Sequence, residues 1–92
     1  MLSSGTKAVG ERVVLFSAPG GNGVAFVAGR RLGTAVTRNR ARRVLRAAWR
    51  EASTQVQSYD IVLVARSPIT GARSTDLIGE LQTLLRRSGA VE

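Results

Sequence analysis

The 92-residue sequence has no cysteine, no histidine, a single lysine and only six acidic residues. Without cysteine there is neither a disulfide framework nor a thiolate metal site. Without histidine, metal binding and proton transfer near neutral pH both lose their commonest side chain. The acids Glu11, Glu51, Asp60, Asp76, Glu80 and Glu92 stand singly. They show none of the convergence that a two-metal hydrolytic site needs. No serine has a histidine to act as its base. Residue chemistry therefore assigns no catalytic residue and no metal ligand; it describes a binding module. Long apolar runs are missing as well. Stretches such as Val24 to Ala28 and Ile61 to Ala65 fall far short of the ~20 residues that span a bilayer. The first ten residues lack the apolar core of a signal peptide. A cytoplasmic chain is expected.

Arginine is what the sequence has in excess. Fourteen bases against six acids leave a net charge of +8, and Lys7 is the only base that is not arginine. Arginine presents a planar fork of donors that meets phosphate bidentately, where lysine offers a point charge. High genomic G+C content also favours arginine over lysine, but it does not account for the net excess. An excess this large on so short a chain points to a polyanionic partner, nucleic acid first and an anionic membrane surface second. Hydrophobic residues make up 43% and charged residues 22% of the chain. That balance is globular rather than disordered, and residues 1–92 are expected to form a single domain.

The element pattern is mixed. Arg12 to Ser17 is rich in β-branched and aromatic residues and reads as a strand. The turn signal Ala18-Pro19-Gly20-Gly21-Asn22-Gly23 follows it, and Val24 to Ala28 reads as a second strand. The short connection favours an antiparallel pair. The glycines have neither the spacing of a dinucleotide-binding loop nor a phosphate-loop lysine. Thr34 is a candidate N-cap for a helix running to Ala52, with Ala41, Val44, Leu45, Ala48, Trp49 and Ala52 at helical spacing. Tyr59 to Arg66 reads as a strand whose unbroken apolar run implies cover on both faces. Ser74-Thr75-Asp76 opens a last helix striped by Leu77, Ile78, Leu81, Leu84 and Leu85, with Gly89 as its C-cap. The fold class is α+β, in the order strand, strand, helix, strand, helix.

The Thr34–Ala52 helix carries six arginines and one acid, Glu51, so it holds +5 of the +8. On a helical wheel Arg38, Arg42, Arg46, Arg50, Asn39 and Arg43 fall on an arc opposite the apolar stripe, with Arg40 toward its far edge. Arg38/Arg42, Arg42/Arg46 and Arg46/Arg50 are like-charge i, i+4 pairs. Each costs an isolated helix roughly 0.2–0.5 kcal/mol. A solvated helix face ordinarily mixes signs. This one tolerates self-repulsion, which an array of phosphates would relieve. The apolar stripe is mostly alanine and valine and is needed to cover a sheet, so little remains for membrane insertion. Trp49, at the stripe's edge, is expected to pack in the core.

Arg38-Asn39-Arg40, set between Gly33 and Glu51, resembles the arginine–asparagine–arginine signature of the ribonuclease P protein family. Arg30-Arg31-Leu32-Gly33 before it resembles the family's basic pair, and Tyr59 to Arg66 followed by Pro68 resembles its last strand. The resemblance runs from about Gly5 to Ser88, past the basic segment and aromatic-bearing helix with which the family usually begins. Lack of that element would weaken leader recognition more than RNA docking. The resemblance implies a small sheet with a left-handed β-α-β crossover, against the usual rule. It also implies a protein subunit of a ribozyme whose RNA uses Mg2+ to remove the 5′ leader of precursor tRNA; no metal is assigned to the protein. Carried over, Arg30, Arg31, Arg38, Arg40, Arg42 and Arg43 are candidates for contact with the ribonuclease P RNA. Asn39 and Arg46 would face a leader-binding cleft. Phe16 falls where the family often has an aromatic that stacks on a leader base, and a core strand residue is the equal alternative. A general RNA-binding or ribosome-associated module is the second reading of the whole chain.

Overall fold

The computed structural model describes residues 6–21, 23–53 and 59–88. The most apolar strand of the chain, β4 (Tyr59–Ala65), takes an interior position in a four-stranded sheet. Two neighbours satisfy its backbone on both sides. Strand β2 (Val13–Pro19) pairs with it antiparallel, and β3 (Val24–Val27) pairs with it parallel. A short edge strand, β1 (Thr6–Val9), pairs with β2 and completes the order β1-β2-β4-β3. The antiparallel pair expected between the second and third of these strands does not form, because β4 lies between them. A run as apolar as Ile61-Val62-Leu63-Val64 gains more from an interior position than a two-strand ribbon of β2 and β3 gains from its short loop.

Two helices lie side by side against one face of this sheet. Helix α1 (Ala35–Ala52) packs on β3 and β4, α2 (Ser74–Ser88) packs on β1 and β2, and the two helices pack on each other. The face they cover carries Ala8, Val13, Leu15, Ile61, Leu63 and Ala65, all buried. From the helices come Ala41, Leu45, Ala48 and Ala52 on α1 and Leu77, Leu81, Leu84 and Leu85 on α2. The expectation that β4 is covered on both faces is corrected here. Val62 and Val64 alternate with the buried residues and are only half-buried. Among the described residues no helix is long and apolar enough to cross a membrane.

Local chemistry sets the helix ends. The Thr34 hydroxyl accepts from the Thr37 backbone N–H at 3.3 Å, as an N-cap does. Gly33 precedes it at φ 111°, a conformation that a side chain would strain. At α2 the Asp76 carboxylate reaches back to accept from the Arg73 N–H at 2.9 Å. The C-cap expected at Gly89 lies outside the described residues.

One polar group sits badly in this core. Ser17 is 3% exposed, and among the described residues its hydroxyl has no hydrogen-bond partner. Burying an unpaired hydroxyl is unfavourable, and removing it restores the balance. Ser17→Ala is therefore expected to stabilise the fold by about 0.5–1 kcal/mol. Urea denaturation at fixed pH checks it, and a lower midpoint for the variant would show the hydroxyl to be satisfied.

Candidate nucleic-acid interface

The eighteen-residue helix α1 is rigid because one side of it is locked into the core through Leu45 and Ala48, both with no exposed surface. That anchoring fixes the direction of every other side chain on the helix. Asn39, Arg42, Arg43 and Arg46 come together on its outer surface, where with Val36 they line a shallow cavity of about 520 Å³. An Arg42 Nη donates to the Asn39 side-chain oxygen. The Arg46 guanidinium lies over the Phe26 ring, 5.4 Å from its centroid, a cation–π contact that holds the side chain against the sheet edge. Among the described residues, the carboxylates within ion-pair distance of an arginine are Glu11 and Glu80, and both pair with Arg12. None of the α1 arginines has one. The outer face of α1 is thus a field of uncompensated positive charge, suited to a polyanion.

The two arginines of the signature tripeptide behave differently from the rest. Arg38 stands seven residues, two helical turns, before Leu45 and so falls in line with the buried stripe. It is half-buried, and its Nε is buried without a partner among the described residues. The arc assigned to Arg38 on the wheel is corrected accordingly: it extends the inner face of the helix. Arg40 is exposed, but one of its Nη groups donates to the Ala72 carbonyl at 3.4 Å. That bond ties α1 to the segment leading into α2. Arg50 is exposed in the last turn, where a cation suits the helix's negative end.

Arg30 and Arg31 form a single 3-10 turn immediately after β3, both exposed. They share a concavity of about 590 Å³ with Val27, Val64, Arg66 and Pro68. Arg66 belongs to no local motif and is not legible as a site residue in the sequence, because what brings it here is the pairing of β3 with β4. Parallel strands end at the same edge of a sheet, so pairing Val27 with Val64 brings the residues that follow β3 beside those that follow β4. Arg66 also donates to the Gly10 carbonyl across the sheet, which orients it.

Phe16 does not join Asn39 and Arg46. Its register partners are Val62 and Lys7, and the buried face is built from the alternate residues. Phe16 therefore points away from the helices, half-buried, with the Lys7 ammonium 5.8 Å from its ring centroid. The three residues grouped for a leader cleft thus fall into two places, Asn39 and Arg46 on α1 and Phe16 on the open face of the sheet. The core alternative for Phe16 is not met on the helix-covered side. Trp49 is half-buried against the core, as expected.

A family model described as Ribonuclease P matches residues 1–89 of the chain. A ribonuclease P protein component from Symbiobacterium thermophilum is 41% identical over 70 residues, covering 75% of this chain and 61% of the relative. One from Dehalococcoides mccartyi is 30% identical over 91 residues, covering 96% of this chain and 75% of the relative. Against several of the relatives it matches, the chain spans 54–61% of their length. The fold is similar to that of a Staphylococcus aureus RNase P protein, with a TM-score of 0.74 at 19% identity over 96% of this chain and 84% of that one.

Proposed function

The chain belongs to the ribonuclease P protein family, and from that membership and the charge on α1 we propose that it acts as the protein subunit of a ribonuclease P. In this reading α1 docks on the catalytic RNA through Arg42, Arg43 and Arg46, with Arg30 and Arg31 making further phosphate contacts. The RNA performs the endonucleolytic cleavage with Mg2+. The protein contributes binding, to the RNA and to the 5′ leader of precursor tRNA, in the cytoplasm. The observation that carries the reading is the outer face of α1, whose arginines have no carboxylate within ion-pair distance among the described residues. A helix that bears such a row of like charges on a locked scaffold is held ready for phosphates.

The geometry supports a division of labour among these residues. Asn39 and Arg46 are on the exposed surface and can meet a ligand. Arg40 is tied to the Ala72 carbonyl, and Arg38 is half-buried along the inner side of the helix. Loss of Asn39 or Arg46 is therefore expected to act at the contact, and loss of Arg40 also removes a tie between α1 and the segment leading into α2.

The test is cleavage of precursor tRNA by a bacterial ribonuclease P RNA at low magnesium, with and without the chain. Stimulation is expected, and it should be larger for substrates with a long 5′ leader than for substrates with a leader of one nucleotide. A basic protein that merely screens RNA charge stimulates both alike. Tight RNA binding without leader-dependent stimulation would favour a general RNA-binding module, which the arginine helix suits equally well.

A further inference from the structure

Among the described residues four large hydrophobics are exposed, and three of them have a reason in the fold. Val9, Val24 and Val27, at 48%, 40% and 42% exposure, are strand residues, where a β-branched side chain is at home. Val36 is different. It is 76% exposed in the first turn of α1, and it points the opposite way from Leu45. A β-branched side chain loses rotamer freedom in a helix, alanine would serve the helix better, and no core contact compensates. Folding gives no reason for valine at this position.

Its surroundings give one. Val36 forms the ridge between two concavities. On one side is the cavity lined with Asn39, Arg42, Arg43 and Arg46. On the other is a smaller one of about 280 Å³, lined by Thr37, Arg40, Ala41, Ile69 and Gly71. Gly71 borders that second cavity, which is open on its side. Its φ is +85°, and a Cβ built on it would meet nothing within 4 Å. At the rim Arg40 is held in place by its bond to the Ala72 carbonyl. An apolar point is thus set among guanidinium groups, with room on either side.

We propose that Val36 is the platform on which one unstacked nucleobase of the bound RNA packs, with its flanking phosphates lying toward Arg40 and Arg43. The inference rests on the RNA-binding reading of α1 and deepens it. A nucleobase fits where a protein's apolar side chain does not, because it arrives with phosphates that neutralise the surrounding charge. The contact itself is apolar. It therefore adds affinity without adding counterion release, and that separates it from every arginine around it.

The experiment measures binding of a bacterial ribonuclease P RNA by the full chain across a salt series, for wild type, Val36→Ala, Val36→Leu and the Arg42→Ala, Arg43→Ala double variant. Val36→Ala is expected to bind about fivefold more weakly, from the loss of two methyl groups of contact, at an unchanged salt slope. Its melting temperature should not fall. Val36→Leu, which keeps an apolar surface, should bind within about twofold of wild type. Wild-type affinity for Val36→Ala overturns the proposal. So does a loss accompanied by a shallower slope, since Val36 would then be acting through the arginines. If instead the double variant keeps the wild-type slope, the phosphate reading of α1 falls, and this inference falls with it.

Discussion

Glu80→Ala is expected to lower the melting temperature by about 10–20 °C, from a loss of about 2–3 kcal/mol. Glu80 is an α2 residue whose side chain is only 14% exposed, and it serves the far end of the sheet. Its Oε2 accepts from the backbone N–H groups of Arg12 at 2.8 Å and Val13 at 3.0 Å. Its Oε1 accepts from the Arg12 guanidinium at 3.3 Å. One carboxylate thus closes the β1–β2 turn and binds it to α2. Removing it leaves two backbone donors without their acceptor, and a donor so stranded costs about 1–3 kcal/mol when water cannot replace the partner. Partial exposure of the turn keeps the sum at the lower end. Arg12 retains Glu11 at 3.9 Å, but an exposed pair of that kind contributes little.

Glu80→Gln separates the charge from the shape. The amide oxygen can still accept from the turn, so about half of the loss is expected. Gly10 supplies the converse. A Cβ there would stand 2.6 Å from the Glu80 Oε2 and 2.9 Å from the Val13 carbonyl oxygen, so the carboxylate reaches the turn only because residue 10 has no side chain. Thermal unfolding followed by circular dichroism measures all of this. A shift of less than about 3 °C for Glu80→Ala, well under the stability expected from lost charge-assisted bonds, would mean that the turn is closed by its own Gly10-to-Val13 backbone bond. The effect should extend to the concavity after β3, because Arg66 is oriented by the Gly10 carbonyl of the same turn.

Much of this architecture could be read from the chain, and the parts that could not have identifiable causes. Helix α1 was legible because Thr34 caps it, no proline interrupts it and its apolar residues keep helical spacing over eighteen residues. Helix α2 and strands β2 and β4 were legible for similar reasons. Strand β1 was not: Thr6-Lys7-Ala8-Val9 has only four residues, and Ala8 alone is buried. An edge strand of that kind is defined by its partner rather than by its own sequence. Strand neighbours were also hidden, because local turn chemistry says which way a chain reverses and not which strand is inserted later between the two arms. That single omission concealed Arg66. The position of Arg38 has a different cause: its seven-residue spacing from Leu45 sets it on the buried stripe, although its charge matches that of the outward arginines. At the site, the basic residues were legible as a class. Which of them face outward and which touch the rest of the protein depended on tertiary contacts such as Arg40 with Ala72.

Arg42→Ala combined with Arg43→Ala is expected to weaken binding to a bacterial ribonuclease P RNA by about 10- to 100-fold at moderate salt, and to reduce the slope of log K against log salt by up to about two units. Each phosphate contact that is lost releases roughly 0.7–0.9 fewer counterions, so the two effects are linked and must converge as salt rises. The fold should not suffer. Both residues lie on the outward side of α1 with Asn39 and Val36, and the substitution removes the Arg38/Arg42 and Arg42/Arg46 repulsions while installing the best helix former. Stability is therefore expected to hold or rise while affinity falls, a combination that a misfolded variant cannot mimic. Total charge is controlled for by Arg73→Ala with Arg86→Ala. Those residues are exposed at the start and in the last turn of α2, and their loss changes the net charge by the same amount. If α1 is the face that meets phosphates, this second pair leaves the slope close to wild type. Equal effects from the two pairs would mean that RNA responds to the overall charge of the molecule, and that α1 has no special place in the contact.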